Sequence, residues 1–198
     1  MNKRGLIHKL FEIEAIRFGE FTLQSGQVSP IYIDLRRAFS FPKILVAMAE
    51  AMRAEMQGPH FDLVCGVPYA AIPLATAISI QHSIPMIMLR KEAKGYGTKQ
   101  RIEGVYRKGQ TVWIIEDVIT LGKSVLETAA VLEQEELKIQ GIAIFADREQ
   151  GGMQNIAQAG YRPHAVCSMS QLIADLVEEQ LIDSATAAKV YAFIGKHP

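Results

Sequence analysis

Residues 113–132 read WIIEDVITLGKSVLETAAVL, and this stretch decides the fold that we predict for the chain. An apolar run leads into two acids and a glycine turn, and the residues after the turn have helical spacing. The GKS at 122–124 spells the end of a nucleotide triphosphatase P-loop, but that loop needs a second glycine where this chain has Asp117. A carboxylate there would repel a polyphosphate, and Glu116 adds to the repulsion. The stretch therefore predicts a strand, a phosphate-binding turn and a helix, with acids that need a different partner.

The composition indicates one globular domain. The chain has 198 residues, of which 49% are hydrophobic and 21% charged. Basic and acidic residues number 21 each, so no basic excess indicates nucleic-acid binding. Cys65 and Cys167 lie in apolar runs without metal-ligand spacing, which favours a reduced, cytoplasmic protein. Charged residues interrupt any signal-peptide core, and the longest near-apolar run is too short to span a bilayer, so we expect no membrane segment.

Apolar spacing and chain breakers predict alternating strands and helices through most of the chain. A first helix, with apolar residues spaced along 6–16, precedes two extended segments, FTLQSG and SPIYIDLR. After a helix over FPKILVAMAEAMRAEM, short apolar strands alternate with helices up to HAVCSM. Two helices follow, the second capped by Asp183 or Ser184. This pattern predicts an α/β fold with a parallel sheet, and such sheets bind ligands beyond the carboxyl ends of their strands.

The segment EDVITLGKS, at 116–124, combines two groups that suit one ligand. The free N–H groups and the dipole of the helix that opens at Lys123, with the hydroxyls of Thr120 and Ser124, suit a dianionic phosphate. The two acids accept hydrogen bonds and suit a polyol or a metal. A ribose 5-phosphate would use both halves, although a solvated turn with a capped helix is an alternative that spacing alone leaves open.

Three further segments follow predicted strands and carry unusual chemistry. Residues 90–101 hold five cations, one acid and two glycines, which suits a lid over a diphosphate leaving group. Residues 66–75 place a glycine, a proline and a tyrosine directly after a strand. Arg148 follows another strand, where it could pair bidentately with a carboxylate or with ring carbonyls. Each has a plainer interpretation: an exposed charge run, a loop turn, or a surface ion pair of Arg148 with Asp147 or Glu149.

The ordered motifs resemble those of a known family. The apolar strand, acid pair and VITLGKS resemble the 5-phosphoribosyl 1-diphosphate (PRPP) signature of type I phosphoribosyltransferases, and GVPYAA resembles their diphosphate-contacting turn. FTLQSG and SPIY resemble the N-terminal hood that closes over the pyrimidine in orotate phosphoribosyltransferases. With RKEAKGYGTKQRIEG, DREQGG and VCSMSQLI, the resemblance covers nearly the whole chain. It is strongest to the orotate phosphoribosyltransferase half of the bifunctional uridine 5′-monophosphate synthases.

The resemblance implies a type I phosphoribosyltransferase fold, an α/β structure whose central, mostly parallel sheet is flanked by helices and carries a small N-terminal hood. It implies one domain over 1–198, with hood elements at 1–40 and the core and C-terminal helices at 41–198. The chain stops where the decarboxylase half of such synthases would begin. The implied reaction transfers 5-phosphoribosyl from PRPP to orotate, giving orotidine 5′-monophosphate and diphosphate in pyrimidine (UMP) biosynthesis. Mg²⁺ is the implied cofactor, held mainly through PRPP rather than by a dedicated protein cluster. A homodimer whose lid acts across the interface is the implied assembly.

The site residues that the resemblance implies fall into three groups. Those implied in lid catalysis are Lys94, Lys91 and Arg90. Those implied in PRPP binding are Arg90, Lys91, Lys94, Tyr96, Tyr69, Glu116, Asp117, Val118, Ile119, Thr120, Leu121, Gly122, Lys123 and Ser124. Those implied in orotate binding are Thr120, Arg148, Gln24, Tyr32 and Ile33. In the second group, the acid pair would bind the ribose hydroxyls, and the turn at 120–124 would bind the 5-phosphate.

The chain departs from the family pattern at three of these positions. Gln24 stands where FTLKSG has lysine, and Leu121 and Lys123 stand where small residues are common. Two other functions stay open: a phosphoribosyltransferase for another base, which would need a different hood, and a non-catalytic PRPP-sensing regulator. The hood segment and Arg148 favour orotate, while the lid lysines and the zero net charge favour an enzyme.

Overall fold

A short antiparallel hairpin near the N-terminus forms a sheet of its own in this computed structural model. The residues that the structure describes are 1–22, 26–58, 60–90 and 101–195. The first elements are α1 (Lys3–Glu12), β1 (Ile16–Thr22) and β2 (Val28–Ile33). We expected the first helix to continue to Ile16. The chain instead turns at Glu14, whose left-handed φ of +57° ends the helical path, so Ile16 opens β1.

Within the described ranges, six strands form the central sheet. Their bounds are β3 Leu63–Gly66, β4 Met86–Leu89, β5 Ile102–Glu103, β6 Thr111–Ile119, β7 Lys138–Asp147 and β8 Pro163–Ser168. They lie in the order β5-β4-β3-β6-β7-β8, and all neighbours run parallel except β4 and β5. This arrangement confirms the predicted α/β fold with a mostly parallel sheet. Strand β5 is an addition to the prediction, because two residues are too few to show a period.

Helices connect and cover the strands. Their bounds are α2 Pro42–Glu55, α3 Ile72–His82, α4 Lys123–Gln134, α5 Gly152–Gln158, α6 Met169–Glu178 and α7 Ser184–Ile194, with a 3₁₀ helix at Leu35–Ser40. Helix α7 packs against β2 and so joins the hairpin to the C-terminal helices. Asp183 caps α7, since its carboxylate accepts from the N–H of Thr186 at 2.7 Å. In the part of the chain that the structure describes, no helix is long and apolar enough to cross a bilayer.

The inner strands are buried along almost their whole length. All of β3 is buried, and so are residues 112–116 of β6. Parallel strands covered on both faces need such continuous apolar runs, and each large buried side chain contributes roughly 1.5–3 kcal/mol. The first acid of β6, Glu116, comes only near the carboxyl end of the strand. The buried core therefore ends where the polar chemistry begins.

Candidate active site

The carboxyl ends of β3, β4, β6 and β7 meet at one edge of the sheet and bring the predicted site segments together. Gly66 lies opposite Ile115 in the pairing of β3 with β6, and Ile119 lies opposite Asp147 in the pairing of β6 with β7. The segments that follow these strands therefore share this edge. It is the edge at which parallel α/β sheets bind ligands.

The two acids at the end of β6 differ in their surroundings. Glu116 is 7% exposed, whereas Asp117 is half-buried. A carboxylate oxygen of Glu116 accepts from the backbone N–H of Asp117 at 3.0 Å. Burial raises the pKa of Glu116 well above its ordinary range, and the negative charge of Asp117 raises it further. A buried acid beside a second acid gains from hydroxyl donors or a cation, which suits the pair to a sugar diol.

The turn from β6 to α4 presents a row of backbone donors. Gly122 precedes α4 with a left-handed φ of +79°, a conformation that favours glycine. The first helical bond runs from the N–H of Leu126 to the carbonyl of Gly122 at 3.0 Å. Among the residues that the structure describes, the N–H groups of 122–125 have no acceptor. They adjoin a cavity of about 220 Å³, and a phosphate there would accept from them at the positive end of the helix dipole.

The side chains of this turn are exposed to different degrees. Ile119 is buried, so it offers a ligand only its backbone. Thr120 and Ser124 carry exposed hydroxyls, and Leu121 is also exposed. Nζ of Lys123 lies 3.9 Å from Oε1 of Glu127 on an exposed face of α4. An exposed pair of this kind holds a side chain weakly, so the lysine stays free to reorient toward an anion.

Helix α5 supports the turn, and no pattern in the sequence indicated this helix. The side-chain amide of Asn155 donates to the carbonyl oxygen of Leu121 at 3.0 Å. At Gly152, an added Cβ would lie 2.7 Å from the carbonyl oxygen of Thr120, so the two segments approach as closely as glycine allows. The glycine pair of DREQGG was a signal for this contact. The position of these glycines in the sequence does not, however, indicate that they pack against residues 116–124.

Arg148 lies beside the turn with its guanidinium available. Its backbone N–H donates to the carbonyl of Ile119 at 3.0 Å. Its Nε is buried and has no hydrogen-bond partner within the described ranges, and burial lowers the pKa of the guanidinium. The nearby acids bind elsewhere, Asp147 to the N–H of Glu149 at 2.9 Å and Glu149 to the N–H of Ser170 at 2.6 Å. The structure therefore favours an anionic ligand over the surface ion pair.

The predicted base-binding residues of the hood lie in or beside the hairpin. Tyr32 and Ile33 are half-buried at the end of β2, and Gln24 lies outside the described residues. The guanidinium of Arg17 lies 5.1 Å from the ring centroid of Tyr32 and 5.6 Å from that of Phe21. The two rings are themselves 5.4 Å apart. Arg17 thus contacts the Tyr32 ring by a cation–π interaction, a role that no motif in the sequence indicated.

Arg36, in the segment after β2, forms an ion pair with Asp34. Its Nε donates to a carboxylate oxygen of Asp34 at 2.6 Å. The pKa of Arg36 is raised, first by this hydrogen bond and in smaller part by the charge of Asp117. The charge of Asp117 therefore favours the charged form of Arg36.

Arg90 marks the start of the predicted lid. Its backbone N–H donates to the carbonyl of Arg101 at 2.8 Å, and its Nε lies 2.6 Å from Oε1 of Glu103. These contacts hold the two ends of the lid segment together. The lid residues that lie outside the described part of the chain are Lys91, Lys94 and Tyr96. Tyr69, in the turn after β3, is 65% exposed and follows a cis peptide bond.

Several known proteins are similar in sequence to this chain. Residues 41–159 match the family described as the phosphoribosyl transferase domain. The chain is 47% identical to uridine 5′-monophosphate synthase of Bos taurus over 96% of its own length, and it covers 40% of that protein. It is 42% identical to orotate phosphoribosyltransferase of Caenorhabditis elegans over 99% of its length, and it covers 87% of that protein.

A solved structure shares the fold. UMP synthase of Leishmania donovani superposes with a TM-score of 0.90 at 36% identity, over 99% of this chain and 43% of that one. The chain thus spans about two fifths of the length of the two synthases and most of the length of the nematode transferase. The match to the family over more than half of the chain and the nearly full-length match to the nematode protein agree with the geometry of the site. The chain belongs to the orotate phosphoribosyltransferase family of type I phosphoribosyltransferases.

Proposed function

We propose that this chain transfers the 5-phosphoribosyl group from PRPP to orotate, giving orotidine 5′-monophosphate and diphosphate, with Mg²⁺ as cofactor. This is the orotate phosphoribosyltransferase step of pyrimidine biosynthesis, the activity of its family. One observation carries the proposal: among the described residues, a row of free N–H groups, a buried acid and a buried arginine Nε without a hydrogen-bond partner share one edge of the sheet. Those groups match the phosphate, the sugar and the anionic base of the two substrates.

PRPP lies along the end of β6 in this proposal. Its 5-phosphate accepts from the N–H groups of 122–125 and from the hydroxyls of Thr120 and Ser124. Its ribose hydroxyls bind Glu116 and Asp117. Its diphosphate extends toward the turn after β3 and the lid. The residues proposed to hold the diphosphate are Tyr69, Arg90, Lys91, Lys94 and Tyr96.

Orotate lies between the hood and β7. Arg148 pairs with its carboxylate or ring oxygens, and burial of the guanidinium strengthens that interaction because little water competes for it. The hydroxyl of Thr120 faces the same ligand. The hood supplies Gln24 and the backbone at Tyr32 and Ile33.

The chemistry requires stabilised charge more than a strong base. The bond from C1′ to the diphosphate oxygen breaks and its electron pair leaves with the diphosphate, while the ring nitrogen of orotate forms the new bond to C1′. The acidic proton of that nitrogen passes to water, so no dedicated base is needed. The lid cations stabilise the developing charge on the diphosphate. Mg²⁺ would be held mainly through oxygens of PRPP and, when bound, would neutralise charge on the leaving group.

We further propose a cytoplasmic homodimer of one catalytic domain, with hood elements at 1–40 and a lid that reaches the site of the partner. The backbone hydrogen bond between Arg90 and Arg101 supports the lid, because it holds the two ends of the proposed lid segment together. Both cysteines are free and buried, which suits a reducing compartment, and burial raises the pKa of each thiol to about 12 and so makes it unreactive. Sedimentation equilibrium tests the dimer.

The test of function follows the loss of orotate absorbance with PRPP and Mg²⁺, and repeats the reaction with adenine, hypoxanthine and uracil. We expect turnover of orotate alone. In Arg148→Gln, loss of hydrogen bonds to a charged group, about 1.5–3 kcal/mol, should raise the KM for orotate about 10- to 150-fold and leave PRPP affinity unchanged. Arg162→Gln, at an exposed arginine, is the matched control. Turnover of another base, or of none, would refute the proposal.

A further inference from the structure

We infer that Asn155 is a positioning residue for the phosphate turn, an inference that rests on the proposed binding of the PRPP 5-phosphate at 122–125. Its side-chain amide donates to the carbonyl oxygen of Leu121 at 3.0 Å. The family resemblance gives this residue no role, and Asn155 is not among the residues that line the cavity. Any effect of Asn155 on the substrate therefore passes through the turn.

The contact is one of three that seat the turn on the segment after β7. The N–H of Arg148 donates to the carbonyl of Ile119 at 3.0 Å. An added Cβ at Gly152 would lie 2.7 Å from the carbonyl oxygen of Thr120. The hydrogen bond from Asn155 involves the next carbonyl along the turn, that of Leu121. Three successive carbonyls, those of 119–121, thus face residues 148–155.

The Asn155 bond fixes the direction of the following N–H group. In a trans peptide, the C=O and the N–H point in opposite directions across one plane. Because the carbonyl of Leu121 faces α5, the N–H of Gly122 faces away from α5. The cavity of about 220 Å³ is lined by residues of 116–125 and by none of α5, so we place it on that far side. Asn155 thereby directs the first free donor of the phosphate site into the cavity.

The turn needs this support because glycine at 122 tolerates many backbone angles. A flip of the peptide between 121 and 122 would turn the Gly122 N–H toward α5 and point the Leu121 carbonyl at the phosphate. A carbonyl dipole facing a dianion is repulsive, so the flipped turn binds phosphate poorly. The side chain of Asn155 opposes the flip, because the flipped turn leaves its amide without the Leu121 acceptor.

Two variants of the full chain test the inference. Asn155→Ala removes the donor, and Asn155→Asp keeps the shape but sets a carboxylate against the carbonyl oxygen. Calorimetric titration would use ribose 5-phosphate, which carries the 5-phosphate, and diphosphate, which occupies the other end of the site. We expect the Kd for ribose 5-phosphate to rise about fivefold in Asn155→Ala, as for loss of one hydrogen bond, and further in Asn155→Asp. The Kd for diphosphate should stay within about twofold.

Kinetics and a neighbouring variant complete the test. The KM for PRPP should rise in parallel while kcat stays near that of the parent. Gln154→Ala, at an exposed neighbour on the same helix, should change neither ligand's Kd. Equal weakening of both ligands, or unchanged ribose 5-phosphate binding in both variants of an active parent, would overturn the inference alone. A parent without turnover of PRPP and orotate would refute the proposed function, and this inference with it.

Discussion

Replacing Gly152 by alanine tests whether α5 sets the position of the phosphate turn. Gly152 opens α5 and does not adopt a left-handed φ, so its backbone alone would accept alanine. The obstacle to alanine is the lack of room for its Cβ atom. The added Cβ would lie 2.6 Å from Cγ1 of Ile119 and 2.7 Å from the carbonyl oxygen of Thr120, where ordinary contact begins at 3.4 Å. Because the second neighbour is backbone, either the turn or the helix has to shift by about 0.7 Å.

The expected cost follows from these distances. Overpacking a tight contact typically costs about 1–3 kcal/mol, and the better helix propensity of alanine offsets up to ~1 kcal/mol. We expect the free energy of unfolding to fall by about 1–2 kcal/mol, which for a chain of this length lowers Tm by roughly 2–8 °C. Displacement of Thr120 also moves the phosphate donors. A misplacement approaching 1 Å can cost up to ~10²-fold in rate, so kcat/KM for PRPP should fall about 10- to 100-fold.

Calorimetric melting and orotate absorbance at varied PRPP measure the two effects. The matched control is Gly195→Ala, at the end of α7. There φ is −65°, and an added Cβ would meet its nearest neighbour at 3.4 Å. The control should retain the Tm and kcat/KM of the parent. A Gly152→Ala variant that also retained both values would show that the turn does not depend on this contact.

Two further predictions concern charged groups of the site. Burial, and then the charge of Asp117, raises the pKa of Glu116. Above pH about 4.5 the folded protein therefore keeps a proton on Glu116 that the unfolded chain releases. The free energy of unfolding of the parent should fall, relative to that of Glu116→Gln, as the pH rises toward the pKa of Glu116 in the folded protein. Urea unfolding across this range measures the difference, and a constant gap would contradict it. Lys94→Ala should lower kcat by ~10²-fold or more at saturating PRPP, because a cation that stabilises the departing diphosphate is lost. Lys138→Ala, at the opposite end of the sheet, should retain the parent rate, and equal rates for both variants would exclude the lid role.

The predictable parts of this fold are those whose information lies in a run of neighbouring residues. Strands and helices of the core repeat an apolar period over enough residues to be recognised, as the nine residues of β6 and the twelve of α4 show. The two residues of β5 and the seven of α5 are too short for that. The prediction that the first helix continues to Ile16 was wrong, because apolar spacing gives no indication of the left-handed backbone conformation at Glu14.

The candidate site divides in the same way. Its strand, acid pair, glycine turn and helix are contiguous, so the chain alone was enough to indicate a ribose phosphate site at 116–124. Three features arise from segments that meet only after the parallel strands have paired. They are the hydrogen bond from Asn155 to Leu121, the buried Nε of Arg148 that has no hydrogen-bond partner among the described residues, and the deeper burial of Glu116 than of Asp117. The spacing of residues along the chain does not predict which distant backbone N–H group will bind a carboxylate, or which distant side chain will orient a peptide group. Those contacts depend on the packing of the whole sheet edge, and the folded structure was needed to reveal them.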